Sequence, residues 1–522
     1  MILKNMLFAF SMATSLLFCR CSDTSAPADY LSVRETRFTD SEGRTVILNG
    51  INHVNKNPKE GYLHKNDEEL FRQFRAWGFN CIRFGINWDG LEPEPGKINE
   101  AYLKEIDKRV KWAEENGLWL ILDMHQDLYG RKYGNGAPLW ATLDEDLPHK
   151  TGDVWSDAYL ISPAIQKAFD NFWKNSPAPD GIGIQDHYIF LWKTLAKRYA
   201  NSPSVAGFDI MNEPFMGSDG MKVFPKLLEG YARVIAQKTG KVPSEQEMAD
   251  MWGNEPKRVE ALGFLNNKTD YGTIVDGAFE PVRVFEEGSL TTFYQRVRDA
   301  VREVNKKQIL FLEHTYFCNL GISSSFHIPL DKYGNKDSLC AYAPHGYDLV
   351  TDTKGVSNPG YERVELIFDR IFKAGKQKGV PLIVDEWGAF YMGDNLYVDP
   401  ARHLIGLFEK NLAGQTYWSY WEKIETQDYF KNTLVRPYPV RTNGKLLSYA
   451  NDPVNGSFSC SWEETDSDAP TLIYFPDLGV VKKEAIQISP VSDLKFIPID
   501  NTSAGYVEIT PLAQKRFFHI TF

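Results

Sequence analysis

The stretch Val205-Ala-Gly-Phe-Asp-Ile-Met-Asn-Glu-Pro214 is a short apolar run that ends on an acid and a proline. It lacks helical spacing and is too short for a helix, so it reads as a buried strand whose last residues stand at a sheet rim. The same design returns in Leu118-Trp-Leu-Ile-Leu-Asp-Met-His-Gln-Asp127 and in Leu382-Ile-Val-Asp-Glu-Trp-Gly388. Working outward, further strands are expected at Thr45–Asn52, Phe79–Phe84, Gln308–Glu313, Cys340–His345 and Gly414–Tyr420. Helical patterns separate most of them, at Asp67–Trp77, Glu100–Asn116, Gln185–Ala200, Glu286–Asn305, Tyr361–Lys378 and Ala401–Asn411. In the second of these, Tyr102, Ile106, Val110 and Ala113 recur at steps of three and four, and Asn116-Gly117 supplies the stop.

Eight apolar strands alternating with helices predict an α/β fold, a (β/α)₈ barrel. The competing architecture, a doubly wound open sheet, would need a glycine-rich phosphate turn after its first strand, and Gly50-Ile-Asn-His53 has one glycine. A barrel of about 250 residues accounts for roughly half of the 522 present. Two insertions take up part of the surplus, Tyr129–Ile184 after the third strand and Phe215–Val284 after the fourth. From 430 to 522 helical periodicity gives way to short β-rich runs, among them Thr471–Phe475, Ala485–Ile488 and Tyr506–Ile509, which predict a C-terminal β-sandwich. The catalytic barrel is thus expected over 29–429.

Residues 1–28 read as a leader. Lys4 precedes a nearly unbroken apolar run, Met6–Phe18, of signal-peptide length and too short to span a bilayer. Cys19 or Cys21, followed by a polar tether, suits a lipoprotein signal; Ala26-Pro-Ala28 suits an ordinary secretory cleavage site. The expected location is therefore the cell surface, as an outer-membrane lipoprotein, or the secreted fraction. Of the remaining cysteines, Cys81 reads as a core thiol, and a Cys318–Cys340 bridge is open in an oxidising compartment. The balance of 58 basic against 69 acidic residues, net −11, argues against nucleic acid and against electrostatic docking on anionic lipid.

Glu213 and Glu386 end the fourth and seventh strands, so a barrel brings both to one rim. Two facing carboxylates are what glycoside hydrolysis needs, one to protonate the leaving oxygen and one to attack the anomeric carbon. A strand-end carboxylate capping a helix is the plain alternative for either alone. His125 beside Asp123 and Asp127 raises a metal reading, but each histidine-bearing strand end offers one histidine, so no metal and no cofactor are expected.

Arg83, Asp123-Met-His125-Gln-Asp127, Asn212-Glu213-Pro214, His345-Gly-Tyr347, Glu386 and Trp418-Ser-Tyr420, in this order along the whole barrel, resemble glycoside hydrolase family 5. Within it, Gly50-Ile-Asn-His-Val-Asn-Lys56 and Asn212-Glu-Pro-Phe215 look most like the endoglycoceramidases and related glycosphingolipid glucosidases. The resemblance implies a retaining β-glycosidase acting between an oligosaccharide and ceramide, with Glu213 as acid/base and Glu386 as nucleophile. It implies that Glu213 is held protonated by an apolar wall or by the charge of Glu386, and that Arg83 and Tyr347 keep Glu386 ionised. Asn212 would bind the sugar 2-hydroxyl, His125 and His345 would orient hydroxyls or the acid, and Trp418 would form the sugar platform, with Trp421 a second aromatic nearby. Lys56, Asp123 and Asp127 would hold the next sugar. Apolar loop residues, Phe215-Met216, Met221, Phe224, Tyr316-Phe317, Leu320-Gly-Ile322 and Phe390-Tyr-Met392, suggest an aglycone strip and membrane contact. A monomer is expected. The alternatives are a family 5 β-glucanase, a glucosylceramidase acting on one glucose, and a non-catalytic glycan-binding lipoprotein.

Overall fold

The computed structural model describes residues 29–522, apart from 354, 357, 392 and 393, and gives backbone but not side chains for 249, 252 and 394. The proposed leader and Met392 therefore lie outside the described residues. Eight parallel strands form the central sheet: β1 Asn49–His53, β2 Cys81–Ile86, β3 Trp119–Met124, β4 Val205–Asp209, β5 Ile309–Leu312, β6 Cys340–Tyr342, β7 Ile383–Val384 and β8 Gly414–Tyr417. Each pairs with its neighbour in chain order, and β8 returns to β1, with Thr416 opposite Gly50. Parallel bridges Tyr342–Leu382 and His345–Glu386 close the ring between β6 and β7. This is the expected barrel.

Strand alternation explains both its core and its rim. In β3, Leu120, Leu122 and Met124 pack outward among the helices, while Trp119 and Ile121 join Cys81, Ile309, Phe311 and Ile383 inside. The next inward step from Ile121 is Asp123, and from Cys81 it is Arg83. Inward positions are thus apolar at one end of the barrel and charged at the other. The helix Glu100–Glu115 behaves as its pattern requires: Asn99 caps it by accepting from the Tyr102 amide, and Tyr102, Ile106, Val110 and Ala113 are buried.

Two sheets make the second domain. One is four-stranded, from Lys445–Asp452, Ser457–Glu463, Lys515–Thr521 and Ile486–Ser489. The other is seven-stranded, and three of its strands, Ser32–Arg34, Arg37–Thr39 and Thr45–Val46, come from the start of the described chain. Both sheets contribute to one core that includes Tyr438, Phe458, Trp462, Ile473, Val507 and Phe518. Here the structure departs from the reading of 29–429 as barrel alone. The run expected as one strand, Thr45–Asn52, divides: Thr45–Val46 pairs with Arg441 and Thr442, and only Asn49–His53 enters the barrel. Leu31, Phe38 and Val46 plug the apolar end of the barrel, where Phe38 stacks on Phe311. Gly78, at φ +87, lies where any Cβ would sit 2.2 Å from the Tyr474 ring, so glycine there lets the second domain seat against the barrel.

Both insertions leave the charged rim. The second is largely helical, with Phe224–Thr239, Glu245–Trp252, Glu255–Gly263 and Lys268–Gly277. The four described cysteines are free and buried, and Cys318 points at Glu286, 3.5 Å away, so the open question of a Cys318–Cys340 bridge closes in the negative.

Candidate active site

Arg83 projects from β2 into the barrel and is completely buried. Its guanidinium lies within 3.3 Å of five carboxylates: Asp123, Asp209, Glu313, Asp385 and Glu386. It also donates to Asn52 and Asn212 at 3.0 and 2.9 Å. Acid therefore exceeds base by a wide margin, and the balance is met by protons. Burial pushes the carboxyls of Glu313 and Asp385 well above the ordinary carboxylate range, against the pull of His345 and Arg83. Burial opposes the charged form of His345 too, yet Glu313 and Glu386 outweigh it and hold that imidazole well above its ordinary range. Asp123, Asp209 and Glu313 converge closely enough to suggest a cation site, and the guanidinium of Arg83 supplies the positive charge there.

Glu386 accepts from Arg83 Nη1 at 2.6 Å and from Tyr347 Oη at 2.9 Å. Burial holds its carboxyl above its ordinary range; His345 and Arg83 work the other way, and the negative charge of Glu213 adds to the rise. A proton on Glu213 removes that last contribution and leaves Glu386 with two strong donors. Glu213 accepts from Asn319 at 2.6 Å and from His345 Nδ1 at 3.1 Å. One oxygen of Glu213 lies within 4.8 Å of one of Glu386. That spacing suits nucleophilic attack by one carboxylate; inversion needs about 6.5–9.5 Å to admit a water. The backbone at Glu213 adopts φ +44, left-handed for a residue with a side chain. Glu313 secures it by accepting the Glu213 amide at 2.8 Å, and Gln126 Nε2 donates to the Asn212 carbonyl at 2.9 Å.

All eleven residues singled out in the sequence converge on this rim, in two tiers. Lys56, His125, Asp127, Asn212, Glu213, Tyr347, Glu386 and Trp418 line a cavity of about 550 Å³. Arg83, Asp123 and His345 do not; they stand behind it, fully buried. Asp123 binds His125 Nδ1 at 2.7 Å and so orients that ring, which stacks on Trp418 at 5.3 Å. Lys56 pairs with Asp127 at 2.5 Å, and its ammonium lies 4.6 Å over the Trp418 ring. Trp421 is outside the lining and makes a long contact with Tyr429 at 3.4 Å.

The second insertion adds an apolar group to the lining, Phe224, Leu227, Leu228, Tyr231, Leu262, Leu265 and Ile274, together with Arg258; the first insertion adds Val154, Trp155, Asp157 and Leu160. The loop strip read from the sequence divides. Phe224, Tyr316, Phe317, Leu320 and Tyr391 line the cavity, whereas Phe215, Met216 and Ile322 pack away from it and Met221 is exposed.

The profile of the cellulases of glycosyl hydrolase family 5 matches residues 39–424, and that of the glycoside hydrolase family 5 C-terminal domain matches 436–521. The chain belongs to glycoside hydrolase family 5. Endoglycoceramidase I of Rhodococcus hoagii (strain 103S) is 24% identical over 483 residues, which span 89% of this chain and 83% of that one. The solved structure of endo-glycoceramidase II from Rhodococcus sp., in its ganglioside GM3 complex, superposes with a TM-score of 0.70 at 25% identity, covering 94% of this chain and 99% of that one. A glucosylceramidase of Aspergillus fumigatus is 26% identical over 251 residues, 37% of this chain and 33% of that one.

Sequence reasoning missed several members of this family 5 site. Glu313 directly follows β5, just as Glu213 and Glu386 lie past the ends of β4 and β7, so its position was a usable signal. Asp209 and Asp385 lie on runs already read as strands, and inward alternation would have found them. Asn319 sits in the 3₁₀ turn Tyr316–Leu320, for which the sequence offers no motif.

Proposed function

We propose that this family 5 enzyme hydrolyses the β-glycosidic bond between an oligosaccharide and ceramide, with retention. The observation that carries the reading is a single cavity lined both by the carboxylates, Lys56, Asp127 and Trp418 and by an apolar group from the second insertion. Sugar needs the first and two lipid chains need the second. Glu386 attacks the anomeric carbon while Glu213 gives its proton to the ceramide oxygen. That step forms a glycosyl ester on Glu386 and frees ceramide. Water, deprotonated by Glu213, then cleaves the ester, releases the sugar and returns the proton to Glu213. Trp418 underlies the reacting sugar, Asn212 meets its 2-hydroxyl, and Lys56 with Asp127 hold the sugar beyond. Likeness along nearly the whole chain to proteins named endoglycoceramidase supports the substrate class.

Mass spectrometry of products from a mixed glycosphingolipid panel tests this. Intact oligosaccharide with free ceramide is expected; single glucose as the only sugar product would favour the glucosylceramidase reading. A 2-fluoro glycoside should leave its sugar mass on the peptide bearing Glu386. For location, we propose export through residues 1–28, with lipid attachment at Cys19 or Cys21 as the first reading and secretory cleavage after Ala28 as the second. Membrane contact through the anchor or the apolar loops, and a monomeric state, complete the proposal. Intact mass of the purified membrane fraction separates the two leader readings.

A further inference from the structure

Glu213 is served by a hydrogen-bond chain that the mechanism above does not use. Asn319 Nδ2 donates to Glu213 Oε1 at 2.6 Å, and Asn319 Oδ1 lies 2.9 Å from His314 Nε2. The same His314 nitrogen lies 3.0 Å from the His345 carbonyl, which can only accept. His314 therefore carries its proton on Nε2, and its Nδ1 accepts from Tyr342 Oη at 2.7 Å. Burial and the nearby charge of His345 keep His314 neutral, with its value lowered to about 3, in accord with that tautomer. Tyr342, His314 and Asn319 are all buried. Every bond in the chain has one possible direction, so the Asn319 amide cannot flip: its NH₂ must face Glu213.

The second donor to Oε1 is His345 Nδ1, from an imidazole that is held protonated. Both lone pairs of Oε1 are thus engaged. Oε2 takes no protein hydrogen bond among the described residues, and Glu213 lines the cavity. We propose that Asn319, locked by His314, is a positioning residue that confines the proton of Glu213 to Oε2, the oxygen free to meet the leaving group. Without it, Oε1 could take the proton and the carboxyl could rotate, and acid catalysis would weaken while nucleophilic attack by Glu386 would not.

The inference rests on Glu213 being the acid, and leaving-group dependence separates the two ideas. Three variants, Asn319→Ala, Asn319→Asp and Glu213→Gln, would be assayed for kcat/KM on 2,4-dinitrophenyl, 4-nitrophenyl and alkyl β-lactosides. Asn319→Ala should lose about 10- to 100-fold on the alkyl glycoside, part of what a general acid supplies, and less than about 3-fold on the dinitrophenyl one, which needs no acid. Asn319→Asp keeps the size but not the donor, so it should show the same selective loss and protects the test from a folding defect in the alanine variant. His314→Phe frees the Asn319 amide and should reproduce the pattern more weakly. Equal loss on all three substrates, or no loss in Asn319→Asp, would overturn the positioning role. If Glu213→Gln itself shows no leaving-group dependence, the acid assignment falls instead.

Discussion

Arg83 and Arg516 are both fully buried, and they are buried in opposite ways. Arg516, in the β-domain, pairs with one carboxylate, Glu464, at 3.0 Å; Nη1 and Nη2 also donate to the Thr510 and Pro490 carbonyls and the Ser492 hydroxyl, while its buried Nε has no partner among the described residues. Glu464 in turn accepts from Trp462 and from the Leu512 amide. One charge answers one charge, and the pair joins strand Lys515–Thr521 to the loops around it. Arg83 faces five carboxylates with too few cations to match, and the surplus is met by protons. A balanced buried pair holds a fold together; an unbalanced one keeps protons where chemistry needs them, at a cost in stability.

Breaking the unbalanced side at its reactive member should give the largest effect. Glu386→Gln is expected to lower kcat/KM by about 10⁴-fold or more while raising the melting temperature, since it removes one negative charge from the crowd. Retained activity would end the assignment of Glu386, and a lower melting temperature would end the claim of surplus charge. Arg516→Met should do the reverse. Leaving Glu464 buried alone is expected to cost about 3–5 kcal/mol in denaturant unfolding, with kcat/KM on an aryl lactoside unchanged below the transition.

Acidity separates the two regions further. The carboxyls of Glu313 and Asp385, and the imidazole of His345, bind protons more tightly folded than unfolded. The stability they supply is complete below the ordinary carboxylate range, near pH 4, and drains away as pH rises through their folded values. Glu313→Gln removes one such carboxyl and lowers the hold on His345. The decline of stability between pH 5 and pH 9 should therefore become shallower, by up to about 1.4 kcal/mol per pH unit for the one proton no longer bound. An unchanged slope in melting temperature against pH would contradict the charge imbalance. The smallest effect is expected in the apolar part of the cavity lining. Leu227→Ala with Leu228→Ala should lower kcat/KM on a lactosyl-lipid by about 10-fold and leave an aryl lactoside unaffected. Equal loss on both would remove lipid recognition from the apolar wall.

The barrel was legible because apolar runs and helical periodicity report directly on burial. The helix read at Tyr361–Lys378 appears with the same ends, and the helix read at Glu100–Asn116 ends one residue earlier. Less legible was anything decided by a partner distant in the chain. Thr45–Asn52 is one apolar run, yet its first residues pair with strand Tyr438–Thr442 and its last with Gly414–Tyr417, which no local pattern separates. Site residues divided along the same line. Strand ends close to known motifs were readable, but Asn319 matters only because His314 and Glu213 meet it in space. Asp123 was read as holding sugar and His345 as orienting hydroxyls or the acid; both stand one layer back, where His345 donates to Glu213, because alternation carried them inward beneath the side chains that reach the cavity.

The seven-stranded sheet has a consequence for how the molecule is made. Strands Ser32–Arg34 to Thr45–Val46 are synthesised before the barrel, and the strand that receives them, Tyr438–Thr442, only after it. Until it arrives, the edge at Thr45–Val46 is unmatched and open to other chains. The segments that flank the barrel in the chain therefore act as the two halves of a clasp, and any version of this enzyme cut before residue 438 is left with the clasp undone beneath an otherwise complete barrel.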